Sequence, residues 1–264
     1  MNAPSNLLEW LASLSFDVAV FVLYVPALLL TAFGTLLVRW LFSDQVAPES
    51  SVGPTKVGFM AQVYSVMLGF LVAAAYAQYG ETRTWVRQEV ESLRLIRNIA
   101  SDVAPPQAAV LETAVSEYAR AVVEGEWQLL AFGSESPQAG AALASMLAAL
   151  PDPDPDGSLS TALAVGQLRN LIQDVAMARV ERISAAPDRK IADLLSGVLV
   201  LITALAISIA WFLRGPSVVV HLILGGILVT TFLSLILLSV ELIYPFAGDL
   251  SIRPDEFREL IIGV

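Results

Sequence analysis

Cysteine is absent from this chain and histidine occurs once. The first absence excludes disulfides, a thiolate nucleophile and a zinc-thiolate site, and leaves the redox compartment unread. The second excludes a metal site built from several imidazoles. Charge is scarce as well: 15% of the 264 residues are charged, against about 25% in an ordinary soluble domain. Hydrophobic residues make up 56%, and the mean hydropathy is +0.69. Such a balance reads as a membrane protein. Basic residues are the scarcer sign, 15 Lys and Arg against 25 Asp and Glu, for a net charge of -10. No nucleic-acid partner is expected, because that needs a basic surface. No P-loop, nucleophile elbow or H-E-x-x-H signature occurs, and there is no tandem repeat. The chain is therefore not expected to be an enzyme or to carry a cofactor or a metal.

What is present is apolar runs. Four are long enough to cross a bilayer, which takes about 20 helical residues: 16–38, 57–79, 191–213 and 217–240. Pro26 inside the first is tolerable in a membrane helix, since neighbouring groups satisfy the freed carbonyl. That run is not read as a cleaved signal peptide: no Lys or Arg precedes it, its core is too long, and Arg39-Trp40 follows without a small-residue cleavage site. Four spans put both termini and the 80–190 insertion on one side, with 12 Lys and Arg against 3 on the other. The positive-inside rule makes that side cytoplasmic, and the expected home is a cell inner membrane. Eight of those cations lie near the spans, Arg179 and Arg182 among them. Trp40 and Trp211 then mark the outer interface, and Tyr76, Tyr79 and Tyr244 the inner one. Residues 6–11 read as a short amphipathic helix on the inner leaflet.

The insertion reads as helical. Residues 81–101 hold no Pro or Gly and continue the second span, giving one helix of about 45 residues and roughly 67 Å. Pro105-Pro106 opens the next helix, to about Ala131, and Gly133 stops it. A short Ala-rich helix covers 137–150. Residues 151–157 form an extended Pro-Asp loop. Ser158 or Ser160 caps a helix running to about Ser184. Pro187 starts the helix that becomes the third span. The expected fold is all-α: one four-span bundle whose helices extend into a cytoplasmic helical layer.

The second span is the most informative. Ala61, Ser65, Gly69, Ala73 and Ala77 recur every fourth residue, a stripe that lets another helix approach closely. Beside it runs Gln62, Val66, Phe70, Ala74 and Gln78. One reading makes the first stripe helix packing and the second core or lipid contact. The other has the second stripe face a pore, where bulky apolar groups from several identical subunits form a constriction that gates by dewetting. Gln62 and Gln78 would then be polar ends to an apolar neck.

Several segments resemble bestrophins. Leu68-Gly69-Phe70, Tyr76-Ala77-Gln78-Tyr79 and Glu81-Thr82-Arg83-Thr84-Trp85 look like the bestrophin second transmembrane helix. Glu89, Ser92-Leu93-Arg94-Leu95 and Arg97 are similar to its bacterial branch. Pro245-Phe246-Ala247-Gly248 resembles the family's Pro-Phe-Gly turn. With Glu126-Trp127, the pattern is similar over nearly the whole chain to the bacterial bestrophin-like domain family. The resemblance implies a pentameric ion channel whose second helices line a hydrophobic neck, here Gln62, Val66 and Phe70, with Ala74 and Gln78 toward the vestibule. Gln62 departs from the apolar residue usual in that neck. Calcium-gated bestrophins follow the turn with an acidic run. Here Asp249-Leu250-Ser251-Ile252-Arg253-Pro254 follows, and Ca²⁺ needs six to eight oxygens, so no such clasp is expected. The expected partners are the lipid bilayer, further copies of the chain and small inorganic ions. With 23 acidic residues on the cytoplasmic side, an acid-lined vestibule would favour cations.

Other candidates have plainer readings. His221 lies near an interface, and packing or an interfacial hydrogen bond accounts for it. Asp17 and Asp193 sit at span ends, suited to caps or headgroups. Glu124 and Glu126, two apart, do not share a helix face. Trp127 with Leu130, joined by Tyr118, reads as an anchor against the helix of Trp85. Gly225, Gly226, Thr230 and Ser234 give the fourth span a small face for packing. The rival function is a non-conducting, membrane-anchored helical module that docks a protein partner on its cytoplasmic face.

Overall fold

The computed structural model describes residues 7–41, 52–100, 105–131, 133–151, 159–186, 197–198, 200–205, 207–208, 211 and 217–261. The sequence expectations for Asp193, Ser158, the Pro187 helix start and most of the 191–213 span lie outside these. The described residues are helical, with no strand among them. In chain order the elements are α1 (Leu7–Ala12), α2 (Phe16–Leu41), α3 (Val52–Ala100), α4 (Pro105–Ala121), a π-helical turn (Val122–Glu126), α5 (Trp127–Leu130), α6 (Pro137–Ala148), α7 (Leu159–Ser184), α8 (Val218–Ile243) and α9 (Asp255–Arg258). The chain divides into two compact units, 1–77 with 189–243, and 78–188 with 244–264.

In the first unit, α2 and α8 are long and apolar enough to cross a membrane; so is the Ala61–Ala100 stretch of α3, whose residues from Gln78 on belong to the second unit. Pro26 lies inside an unbroken α2. Packing follows from small residues. An indole from Trp211 sits where a Cβ on Gly34 would collide with it. Gly225 faces Thr31, and Gly226 faces Leu28. The Tyr24 and Ser234 hydroxyls hydrogen-bond at 2.6 Å. Tyr64 of α3 meets Phe232 of α8 edge to face at 4.7 Å. Hydroxyls on these helices donate to carbonyls one turn back, Thr31 to Ala27, Ser65 to Ala61, Ser239 to Leu235. A donor with no water to bond must find its partner inside the helix.

The second unit has its own core, built where α3 (from Gln78), α4, α6, α7 and the C-terminal tail meet. Along α3 the buried positions Thr82, Val86, Glu89, Leu93, Ile96 and Ala100 follow a four-three spacing, the signature of one packed helical face. Along α7 the same spacing runs through Leu168, Ile172, Val175, Arg179 and Arg182. Gly133 stops α5 with φ 64°, the left-handed conformation glycine reaches without strain. Its N–H donates to the Leu130 carbonyl, and the Ser134 N–H to that of Leu129. The α6 cap is Ser136, whose Oγ accepts from the Ala139 N–H.

Candidate functional site

The stripe read from sequence in the second span lies on α3. Val66 is 54% exposed and Phe70 73%, and Gln62, Ala74 and Gln78 are exposed too. The small-residue stripe is equally open within one chain: Ser65, Gly69 and Ala73 are exposed, Ala61 is half-buried, and a Cβ on Gly69 would meet nothing within 4 Å. The face of this segment that packs inside the chain is marked instead by Leu68 and Ala75. Two adjacent stripes of one apolar helix therefore stay uncovered, with an aromatic ring at the centre of the larger.

The second unit holds a charged cluster that sequence reasoning missed. Glu89, Glu126 and Arg182 are fully buried, and Arg179 nearly so. Arg182 Nε donates to Glu89 Oε2 at 2.7 Å, and its Nη2 to Glu89 Oε1 at 3.0 Å and Glu126 Oε1 at 2.8 Å. Arg179 grips the same Glu126 through Nε and Nη2. Tyr118 donates its hydroxyl to Glu89 Oε1 at 2.6 Å. The Ser136 N–H donates to Glu126 Oε2, and the Ser136 carbonyl accepts from Arg179. Both carboxylates thus have their oxygens matched, which buried charges require.

The electrostatics follow. Burial works to raise the Glu126 carboxyl, but the bond from Arg179 and the charges of Arg182 and Arg179 outweigh it and hold it below its usual range. Burial also works to discharge Arg182, yet the charge of Glu89 and its bonds hold the guanidinium protonated. Burial first, then the charge of Glu89, pushes the Tyr118 phenol well above its ordinary value. A carboxylate held ionised and a phenol held neutral do no acid–base work near pH 7. This cluster is an internal brace.

Two sequence motifs close around the brace. Trp127 is buried, donates Nε1 to the Ile252 carbonyl at 3.0 Å, and meets Phe246 edge to face at 5.5 Å. The guanidinium of Arg182 lies 5.4 Å from the Trp127 ring and 5.8 Å from that of Phe257, within reach of cation–π attraction. Gly248, with φ 76°, turns the tail so that the Ile252 N–H returns to the Pro245 carbonyl at 2.8 Å. Trp127 thus anchors on the tail aromatics, in the same core as Tyr118, Leu130, Val86 and Val90. Trp85 itself is only half-buried. Glu124 is exposed whereas Glu126 is buried, so the two carboxylates do part. Asp255 pairs with Arg258, and Glu259 with Arg94. His221 is buried and Asp17 exposed.

A readable signal for the missed cluster did exist. Glu89, Arg179 and Arg182 occupy positions that the four-three spacing reserves for core residues. Arg179 and Arg182, counted from sequence among the near-membrane cations, turn inward.

The bestrophin-like domain model matches residues 21–257. No curated protein matches the sequence. Among solved structures, two crystallised variants of a bacterial bestrophin homologue from Klebsiella pneumoniae are similar in fold. One has 16% identity and a TM-score of 0.66, covering 89% of this chain and 96% of that one. The other has 15% identity and a TM-score of 0.67, covering 90% and 97%. A crystallised variant described as a membrane protein has 15% identity and a TM-score of 0.68, covering 90% and 95%. At such identities the likeness carries the fold, and the family model carries the kinship. A chain whose described residues are helical, with uncovered apolar helices and a match from residue 21 to residue 257, belongs to the bestrophin-like family of membrane proteins.

Proposed function

We propose that the chain is a homo-oligomeric ion channel, a pentamer, whose α3 helices surround the symmetry axis. Val66 and Phe70 form apolar rings of the neck and Gln62 its polar end, while Ala74 and Gln78 line the vestibule. The observation that carries this reading is Phe70, 73% exposed at the centre of an uncovered apolar stripe, in a chain of bestrophin-like kinship. A ring of such side chains at a symmetry axis is a hydrophobic constriction that blocks ions by dewetting. Ala61, Ser65, Gly69 and Ala73 take the neighbouring subunit, since small residues let helices approach closely in lipid. Four spans cross an inner membrane, with both termini and residues 80–190 in the cytoplasm. The conducted species are small inorganic ions, with a preference for cations from the acidic cytoplasmic side.

The test is the mass of the purified chain in detergent, followed by currents in planar bilayers. A pentamer that conducts, with conductance or gating altered in Phe70→Ala, supports the reading. A monomer or dimer, or a folded pentamer without current, defeats it. A second reading, a non-conducting module that docks a protein on its cytoplasmic face, is favoured by exposed apolar residues on α7, namely Leu159, Leu163, Met177 and Val180. A monomer that retains a partner through that face would select it.

A further inference from the structure

The second unit contains a cavity unlike the closed brace. It measures about 260 Å³ and is lined by Gln78, Glu81, Thr82 and Trp85 of α3 and by Glu181 and Ser184 of α7. Among the described residues no Lys or Arg lines it. Among the described residues neither Glu81 nor Glu181 has a cationic partner, whereas Glu89, Glu91, Glu126, Asp255 and Glu259 each have an arginine. Two carboxylates thus face one space without a counter-charge among the described residues.

The hydroxyls sharpen the chemistry. Thr82 Oγ1 donates its proton to the Gln78 carbonyl at 2.8 Å, and Ser184 Oγ to the Glu181 carbonyl at 2.8 Å. With those protons committed, the two oxygens have only lone pairs left to offer. Apart from the Gln78 amide and the Trp85 indole N–H, the polar side chains of the lining therefore offer only acceptors, and Ala185 adds an apolar contact. An ammonium group is the converse, three donors and no acceptor. Trp85 adds an aromatic surface that attracts a cation and covers a methylene stem. A bare metal ion is poorly served: no group of three or more potential ligands occurs among the described residues, and Ca²⁺ takes six to eight oxygens. The volume lies just below the ~300 Å³ at which sites for drug-sized molecules begin, which suits a small metabolite.

We propose that this cavity binds a short aliphatic diamine, its two ammonium groups on Glu81 and Glu181 and its stem against Trp85. The site stands beside the channel reading and does not rest on it, because binding is measured without a current.

The experiment is calorimetric titration of the full chain in detergent at low ionic strength with 1,4-diaminobutane. Saturable heat is expected, weakened at least about tenfold in the double variant Glu81→Gln, Glu181→Gln, which loses two charge-assisted bonds. Trp85→Leu should weaken it about threefold, the scale of an exposed cation–π contact. On the unaltered chain, n-butylamine, with one ammonium, should bind at least about tenfold more weakly. The proposal is overturned by absence of heat at millimolar diamine, by butylamine binding equally well, or by a folded double variant that binds unchanged. It is also overturned if Mg²⁺ displaces the diamine at equal concentration and Trp85→Leu has no effect, since the cavity is then only an acidic patch. Diamine binding without currents defeats the channel alone, and currents without diamine heat defeat this site alone.

Discussion

The membrane-type unit and the polar unit treat burial in opposite ways. On α2, Phe21, Leu29 and Phe33 are each more than 60% exposed, and on α8 so are Val219 and, nearly, Leu224 and Ile227. In the other unit, two carboxylates and a guanidinium are entirely hidden. Each arrangement is costly in the other's solvent. Exposed leucine and phenylalanine are penalised in water and not in lipid, and buried charge is tolerated only where every lone pair is met. The apolar helices of the first unit therefore depend on their surroundings, whereas the brace carries its stabilising contacts inside, although α7 also exposes Leu159, Leu163, Met177 and Val180.

Removing a charge from the brace should expose that contrast most strongly. Arg182→Met strands Glu89 and Glu126 without their shared partner and should destabilise the protein by about 3–5 kcal/mol. Chemical unfolding of detergent-purified protein measures this, and a change below 1 kcal/mol would mean the brace carries no stability. Acid attacks the same place. The Glu126 carboxyl is lower in the folded chain than in the unfolded one, so its contribution is complete above the unfolded value. It is lost as pH falls below about 4.5 and through the folded value. Tyr118 acts at the other extreme. Its raised phenol contributes fully below pH 10, and that contribution is lost as pH climbs above 10 toward the folded value. Melting temperature against pH reads both, and Tyr118→Phe should flatten only the alkaline limb.

Smaller effects follow. Trp127→Phe keeps ring packing but orphans the Ile252 carbonyl, a loss of about 1 kcal/mol in the same unfolding assay. Phe70→Ala should be the mildest. An exposed side chain away from special contacts changes stability by no more than about 0.5 kcal/mol, so the melt should stay put while single-channel conductance moves. If the melt shifts as far as in Arg182→Met, Phe70 is a packing residue and the contrast fails there.

These two regions also differ in how far they can be read from residues alone. The exposed stripe is periodic and local, so spacing along 62–78 finds it. The long helices are legible for the same reason: α3 runs unbroken from Val52 to Ala100, and α6 and α7 fall where Pro137 and Ser184 place their ends. The brace joins residues 53, 56 and 93 positions apart. No local pattern announces such pairs, although a charge standing in a four-three core register is a clue. The i, i+2 argument about Glu124 and Glu126 separates them correctly but does not reveal that one of them is buried. The cavity beside Trp85 is equally silent, because it needs α3 and α7 side by side.

The π-turn bears on how the chain tolerates insertion and deletion. Across it the Trp127 N–H reaches back five residues to the Val122 carbonyl, one more than an α-helix spans. That single additional residue turns the helix phase by about 100°, which returns Glu126 to the side of Tyr118 and Val122. A frame-preserving loss of one codon at Gly125 would leave the composition almost unchanged and a smoother helix. It would also keep residues 126 to 130 in the phase that meets the arginines and the tail, so the loss of one amino acid here is less disruptive than the same loss in the middle of α4 or α7.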